Sequence, residues 1–535
     1  ENNAFTDCGL SGSSIYICNE NLDFISNTVS FSQMTDSCRA LMLDTYGTFT
    51  ISYCYFSKCS LHEANQFGGA IYYVHPEQTE GTNEKLLVQG CTFDYCSATN
   101  AAALYLNPLA LKLDEIELQN NTVQNCQSPQ HIILIQFRTA VEDFSLNEWT
   151  FINNKAQNTD GYEDGGGSGV FITNENFQPF NLTFQDCNWT YNKSPKEGGA
   201  YSLGHNENCR FINLFFEHCT FVSNQGLQDY AGALWFNMKS IISIRKCNFT
   251  NNKAMSRESL GGAIYFNDDC NSSIYISESN FTRNTAIDGH SLFLSRNLNS
   301  VSIDDCTIES NGNINSSIVS YCPELNITRS ILGNGAYTLS NRALHVRAPC
   351  HLTIHDCQIS NCYAKDTDSA GQGEGSGIRY KVENPSNDLE EEISITESVF
   401  TNCRGSDGAA VKLYVSNNIT FDYNTIQNCR QGSTTVSIIG LNDVRIFNLN
   451  SCHFIENKGK GLADGGGSGI YIVNNNPTQD NDETFVKFTY CKWDNNLATT
   501  NGGAFSYGES DAAKRTNLMF DTCEFYDNTA NQPST

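Results

Sequence analysis

Seventeen short segments of one kind constrain what this chain can fold into. Each opens on an aromatic or aliphatic anchor and closes three residues later on Asn or Cys. The anchors are Phe24, Phe56, Phe93, Val123, Phe151, Trp189, Phe221, Phe249, Phe281, Ile308, Ile331, Ile359, Phe400, Ile426, Phe454, Trp493 and Phe525, at intervals of 23 to 41 residues. A second motif falls between them, a small residue followed by a short apolar run. Examples are Gly68-Gly69-Ala70-Ile71-Tyr72 and Gly261-Gly262-Ala263-Ile264-Tyr265. Self-similarity at this period means one structural unit stacked many times.

The unit is built of strands. Apolar residues alternate with polar ones over short runs, and no segment keeps a 3.6-residue apolar period. Aligned on its small residue, the second motif places apolar residues such as Ile71, Leu104, Ile264 and Val411 at one position. Tyr73, Leu106, Phe266 and Leu413 follow two residues on. Strand geometry sends both sets to the same side, the core, and the residue between them outward. The predicted fold is all-β, a right-handed parallel β-helix (solenoid) of about seventeen coils, running as a single continuous stack over 1–535. An internal duplication is expected, with about 151–230 resembling 454–535. Phe151-Ile-Asn-Asn-Lys and Asp164-Gly-Gly-Gly-Ser-Gly recur as Phe454-Ile-Glu-Asn-Lys and Asp464-Gly-Gly-Gly-Ser-Gly.

The Asn that closes the first motif fits this reading. Asn154, Asn192, Asn224, Asn252, Asn284 and Asn311 fall in one slot of consecutive units, and Asn457, Asn496 and Asn528 repeat it. Stacked Asn side chains hydrogen-bond along the stacking axis, so a buried column of them is satisfied. The paired Gly-Gly-Ala-Ile and Phe-x-x-Asn motifs, seen at Gly261–Ile264 and Phe281–Asn284, resemble the repeats of the polymorphic outer membrane protein family. That resemblance covers nearly the whole chain and implies a β-helix that works in extracellular adhesion, with these residues as framework. Two features depart from the family: Cys often replaces the closing Asn, and no membrane-barrel segment is evident.

A net charge of −27 argues against nucleic acid and anionic membranes as partners, and no apolar stretch is long enough to span a bilayer. The 23 cysteines are patterned. Ten precede an anchor by two residues, among them Cys54, Cys187 and Cys452, and six replace the slot Asn, in the runs Cys59, Cys96, Cys126 and Cys362, Cys403, Cys429. Stacked columns hold most of these as buried thiols that pack as small apolar residues. Cys322 and Cys350 lie nine residues before adjacent anchors, in a turn that can bend, and are the candidate disulfide. Cys8, Cys18 and Cys38 are candidates for stapling the N-terminal end. No cysteine or histidine set has zinc spacing, so no cofactor or metal is expected. Of the Asn-x-Ser/Thr sequons, those at Asn188, Asn248 and Asn280 share one outward slot and are the candidate glycosylation sites.

Two kinds of function follow. The outward position of the second motif holds Tyr72, Tyr105, Phe171, Trp235, Tyr265 and Phe293, and later Arg379 and Lys412. An exposed aromatic column would stack on sugar rings or anchor a protein. The expected function is therefore a non-enzymatic extracellular or cell-surface protein, an adhesin or a structural component of a surface filament. Its partner would be a glycan or protein, with self-association as a further mode. Recognition would fall on side faces and on loops such as 74–85, 157–168 and 380–391. The alternative is a carbohydrate-active enzyme of the pectinase type, since Asn158-Thr159-Asp160-Gly161, Asp268-Asp269-Cys270 and Gly289-His290 look like polygalacturonase fragments, whose carboxylates do acid and base work. The first two fragments lie 109 residues apart and on different turns, which does not suit a shared site. Calcium at Asp160, Glu163 and Asp164 is a further weak idea, since oxygen ligands are present but no known ligand spacing is.

Overall fold

In the computed structural model every regular element among the described residues is a β-strand. The structure describes all residues except 1–3, 7–10, 18–20, 32–36, 45–46, 62–66, 75–84, 108–115, 138–141, 157–168, 175–178, 196–197, 204–211, 228–229, 257, 310–315, 335–341, 365–374, 383–390, 406–407, 415–417, 432–438, 443–445, 460–468, 474–483, 500–501, 508–515 and 531–535. The fold is a parallel β-helix. Contacts gather into two compact units. The first comprises Glu1–Ser273 with Asn284–Ala286, and the second Ile274–Arg283 with Ile287–Thr535.

One coil of the first unit shows how sequence becomes structure. An approach strand, Phe180–Gln185, buries Phe180, Leu182 and Phe184 on alternate positions. Asp186 turns the chain with a left-handed backbone (φ 55°), and Cys187 points inward. The anchor strand Asn188–Thr190 then buries Trp189. Tyr191 makes a second left-handed corner (φ 58°), Asn192 points inward, and a short bridge, Lys193–Ser194, leads to Gly198 and the return strand Tyr201–Leu203. Each strand pairs in parallel with its equivalent in the next coil, as in Phe180↔Ile212, Trp189↔Phe221 and Tyr201↔Leu234. The second unit repeats the plan. Asn418–Asp422, Thr425–Gln427 and Ile439–Asn442 pair in register with Ile446, His453 and Ile470 of the following coil.

The two left-handed corners carry the architecture. A residue with a side chain in this conformation costs about 1–2 kcal/mol, so something must hold it there. Its amide donates to the next coil, as Asp186 N does to Glu217 O and Tyr191 N to Val222 O. The inward residue that follows then bonds to the preceding coil. Asn192 Nδ2 donates to Phe151 O (2.9 Å) while its Oδ1 accepts from Asn154 N (3.0 Å). Asn224, Asn252 and Asn284 continue the column in the same unit, and Asn457, Asn496 and Asn528 form it in the second. Asn311 lies outside the described residues.

The same bond explains the cysteines. Cys187 Sγ donates to Leu146 O at 3.2 Å and Cys219 Sγ to Phe184 O at 3.3 Å, at the first corner. Asn121 Nδ2 and Trp149 Nε1 fill that slot elsewhere and donate to Val88 O and Leu118 O. These thiols are therefore hydrogen-bond donors to corner carbonyls as well as the apolar fillers expected. Burial pushes Cys357 up to about 11 and Cys306 up to about 12, which keeps the donor proton on sulfur.

Two anchors are corrected. Phe24 lies on an approach strand opposite Ile51, and Val29 is the residue that stacks with Phe56. Ile331 is exposed and Leu332 takes the column between Ile308 and Ile359. The coil count accordingly departs from seventeen, and a strand at Ala4–Thr6 pairs beside Thr28–Ser30 before the first true anchor. Aromatic anchors of neighbouring coils stack face to face in several places, such as Trp189 on Phe221 at 4.7 Å and Trp493 on Phe525 at 4.6 Å. At the return-strand corner the coils approach so closely that a Cβ on Gly232 would lie 2.1 Å from Gly262 O.

Replacing Cys187 separates packing from donation. Cys187→Ser keeps a donor toward Leu146 O and is expected to cost under about 1 kcal/mol, whereas Cys187→Val leaves that carbonyl unpaired and costs about 1–3 kcal/mol. Urea unfolding followed by hydrogen exchange of first-unit amides measures both. Equal losses would show that the thiol only fills space.

Candidate functional site

The return strands place the outward column that the sequence marked for binding. In the first unit that column is buried. Tyr105, Phe171, Trp235 and Tyr265 are at most 5% exposed, and Tyr72 is half-buried. Phe293, in the second unit, is also buried. The expected exposed aromatic ladder is thus corrected, because other side chains close over it. Arg39 lies over the Tyr72 ring at 4.5 Å, and Tyr72 stacks on Tyr105 at 5.1 Å. Phe67 covers Tyr105, His131 lies flat on Phe171 at 4.2 Å, and Tyr230 stacks on Tyr265 at 4.5 Å. The Tyr105 hydroxyl donates to Gln136 Oε1 (2.6 Å). A signal for this was present in the sequence, since Phe67 and Tyr230 each directly precede the small residue that opens the second motif.

The same column changes character in the second unit. It reads Phe293, Val319, His345, Arg379 and Lys412 in register. His345 and Lys412 are buried, as is Arg342 on the strand that carries His345, while Arg347 and Arg379 are partly open. Arg347 Nε lies 3.2 Å from His345 Nδ1, and Arg379 Nη1 lies 3.2 Å from His345 Nε2. Arg347 Nη1 also reaches Tyr321 Oη at 3.2 Å and pairs with Asp288 Oδ2 at 2.5 Å. Burial, then the charges of Arg342, Arg347 and Arg379, hold the His345 imidazole well below its ordinary range. Burial pushes the Asp288 carboxyl up, with Arg347 opposing it. Arg342, Arg347 and Asp288 were not marked by the sequence reading, because their alignment with His345 exists only once coils are in register.

Other candidates separate. Cys322 and Cys350 are buried free thiols, correcting the expected disulfide. Their side chains hydrogen-bond to each other, and Cys322 Sγ is engaged by Ser320 Oγ (3.0 Å) and Glu324 O (3.4 Å). Both lie in the turns just before the approach strands Glu324–Thr328 and His351–His355. Cys8 and Cys18 lie outside the described residues, as does the side chain of Cys38. Asp268 and Asp269 are exposed on the turn after Ile264–Phe266, His290 is buried, and Asn158–Gly161, Glu163 and Asp164 lie outside the described residues. Of the loops, 157–168 and most of 74–85 and 380–391 do too. Among the described residues no His, Cys, Asp and Glu group is arranged to hold a metal ion. The sequon residues Asn188 and Asn248 are exposed in one column of the first unit with Thr220 between them. Asn280 is exposed in the second unit. Comparison with protein-family models and with curated proteins finds no match.

His131 gives this face a pH test. Burial pushes its imidazole down to about 3, against about 6.5 in an unfolded chain. The unfolded chain gains a proton here as pH falls through the upper value, while the folded protein resists until the lower one. Stability is therefore complete above the upper value and is lost progressively as pH falls between the two. His131→Phe, which keeps a ring against Phe171, is expected to move acid unfolding of the first unit to lower pH. An unchanged midpoint in acid titration by circular dichroism would mean that His131 does not gain its proton on unfolding.

Proposed function

We propose that this is a non-enzymatic extracellular or cell-surface β-helix protein, an adhesin or a structural component of a surface filament. The repeat motifs' resemblance to the polymorphic outer membrane protein family fits this reading. The observation that carries it is the pair Asn188 and Asn248. Both sequons stand exposed in one outward column, and strand alternation buries the intervening aromatic, leaving Asn and Thr outside. Asn192, also the start of a sequon, is fully buried in the corner column. The inward Asn and Cys side chains are consumed by bonds between coils, so recognition is left to side faces and loops. Partners are then a glycan or protein on a cell or filament surface, or a second copy of the chain, and not nucleic acid. Among the described residues no helix is long and apolar enough to cross a membrane.

Two measurements on native material test this. Surface labelling of intact cells with a membrane-impermeant reagent should modify the protein before lysis, and its appearance only after lysis would refute the placement. Glycopeptide mapping should find Asn188, Asn248 and Asn280 occupied and Asn192 bare. A glycan on Asn192 would contradict the corner column itself.

A further inference from the structure

The anchor strands of the first unit share one outward face. In Tyr55–Ser57, Thr92–Asp94, Thr122–Gln124, Thr150–Ile152 and Asn188–Thr190 the middle residue is buried, and strand alternation turns the other two outward. The segments that build this face, 48–61, 85–98, 116–128, 142–156 and 179–195, are described throughout. Among the outward residues of these strands only Asp94 is charged, and both of its carboxylate oxygens are engaged. Tyr55 Oη donates to Oδ2 (2.7 Å) and Asn125 Nδ2 to Oδ1 (2.9 Å).

Along one edge of the face the second-corner residues of consecutive coils form a row, Tyr95, Asn125, Asn153 and Tyr191, all with left-handed backbone. Their order is fixed by the corner amides, Tyr95 N donating to Gln124 O, Asn125 N to Ile152 O and Asn153 N to Thr190 O. Asn153 Nδ2 donates to Asn125 Oδ1 (2.9 Å), so one line of hydrogen bonds runs from Asn153 through Asn125 and Asp94 to Tyr55. Tyr95 is 47% exposed and Tyr191 55%. The two residues stand about 14 Å apart, three coils at the strand spacing, with two fixed carboxamides between them. Each carboxamide has two N–H groups and the line uses one of them. Exposed Tyr53 and Tyr55 widen the aromatic end, and Tyr53 lies so close on Gly90 that a Cβ there would be 2.7 Å from its ring.

We propose that this row binds a neutral linear polysaccharide of equatorially linked pyranose units, laid along the stack with sugar rings on Tyr95 and Tyr191 and hydroxyls on Asn125 and Asn153. Such a pyranose presents a flat C–H face that packs on an aromatic ring, and its hydroxyls donate and accept as a carboxamide does. The amides are already ordered by their own ladder, so little side-chain freedom is lost on binding. The row is uncharged and the nearby Asp94 carboxylate is engaged, so a neutral occupant strips water from no charged group of the row. Lys155 and Lys193 border the row on the adjoining bridge strands and add donors for hydroxyl oxygens. A strongly acidic chain would meet the repulsion of a protein with net charge −27. A second copy packed flat on this face would cover exposed Asn188, a candidate glycan carrier, whereas a sugar chain along the second-corner edge leaves it clear. The proposal rests on the adhesin reading and names the ligand class of that surface.

The test is calorimetric titration of the full chain with cellohexaose and with chitohexaose, which differ in the acetamido group. Maltohexaose and oligogalacturonate are the controls. At least one of the first two is expected to bind, with little change on adding salt, and to lose about ten-fold in affinity in Tyr95→Asn and in Tyr191→Asn. Asn is the residue this slot already holds at 125 and 153, so the substitution removes the ring and keeps a side chain that suits the corner. A second readout needs no variant. Bound oligosaccharide should protect Tyr95 and Tyr191 from nitration and leave Tyr423 and Tyr490, comparably exposed in the second unit, unprotected. Binding of neither β-linked oligomer, equal or tighter binding of either control, or variants that bind unchanged would overturn the proposal. So would self-association that Tyr95→Asn abolishes in the absence of any sugar binding, which would assign the row to a second copy. Surface labelling of intact cells without oligosaccharide binding would sink this site and leave the adhesin reading standing. Binding by a protein that labels only after lysis would do the reverse.

Discussion

A left-handed corner capped from within is the constraint on which this structure depends. A parallel coil has to turn sharply without leaving backbone groups unpaired, and residues such as Asp186 and Tyr191 do so at positive φ. The conformation is unfavourable for any residue with a Cβ. It persists because the corner amide bonds to the next coil and the following inward side chain bonds to the preceding one. Each coil thus holds its neighbours' corners in place, and stability resides between repeats more than within them.

That constraint asks for a buried donor of short reach, and it is indifferent to which residue supplies it. Cys, Asn and even Trp149 serve at the first corner, and Cys and Asn at the second. Asn does more, since its carbonyl oxygen also accepts an amide from the preceding coil. The thiols are therefore framework, and their number is no sign of a disulfide scaffold. In a stack held by hydrogen bonds at the strand spacing, paired sulfurs such as those of Cys322 and Cys350 are neighbours without being bonded.

With the interior committed in this way, the two units differ in what their return strands carry outward. The first unit closes its aromatic column under Arg39, Phe67, His131 and Tyr230, so these rings contribute packing. The second places His345 between the guanidinium groups of Arg347 and Arg379. Both use one scaffold position, which shows how a repeat fold keeps its coil geometry while its faces diverge.

The fold was legible in the sequence because a coil repeats the same local demand, an inward apolar residue, a corner and an inward polar residue, and repetition makes the pattern visible. The errors came from the same source. Both corners of a coil obey one spacing, so Phe24–Asn27, which spans the first corner, reads like an anchor segment, and Ile331–Asn334 hides Leu332 one residue away. The sequence by itself determined the strand alternation, the parallel stacking and the slots of Asn and Cys, since these depend on residues a few positions apart. Tertiary structure alone decided which outward side chains are covered, which thiols stay unbonded, and that Arg347, Arg379 and Asp288 converge near His345. Those outcomes depend on contacts between residues some thirty or more positions apart, and loop length and register between coils, not local pattern, bring such residues together.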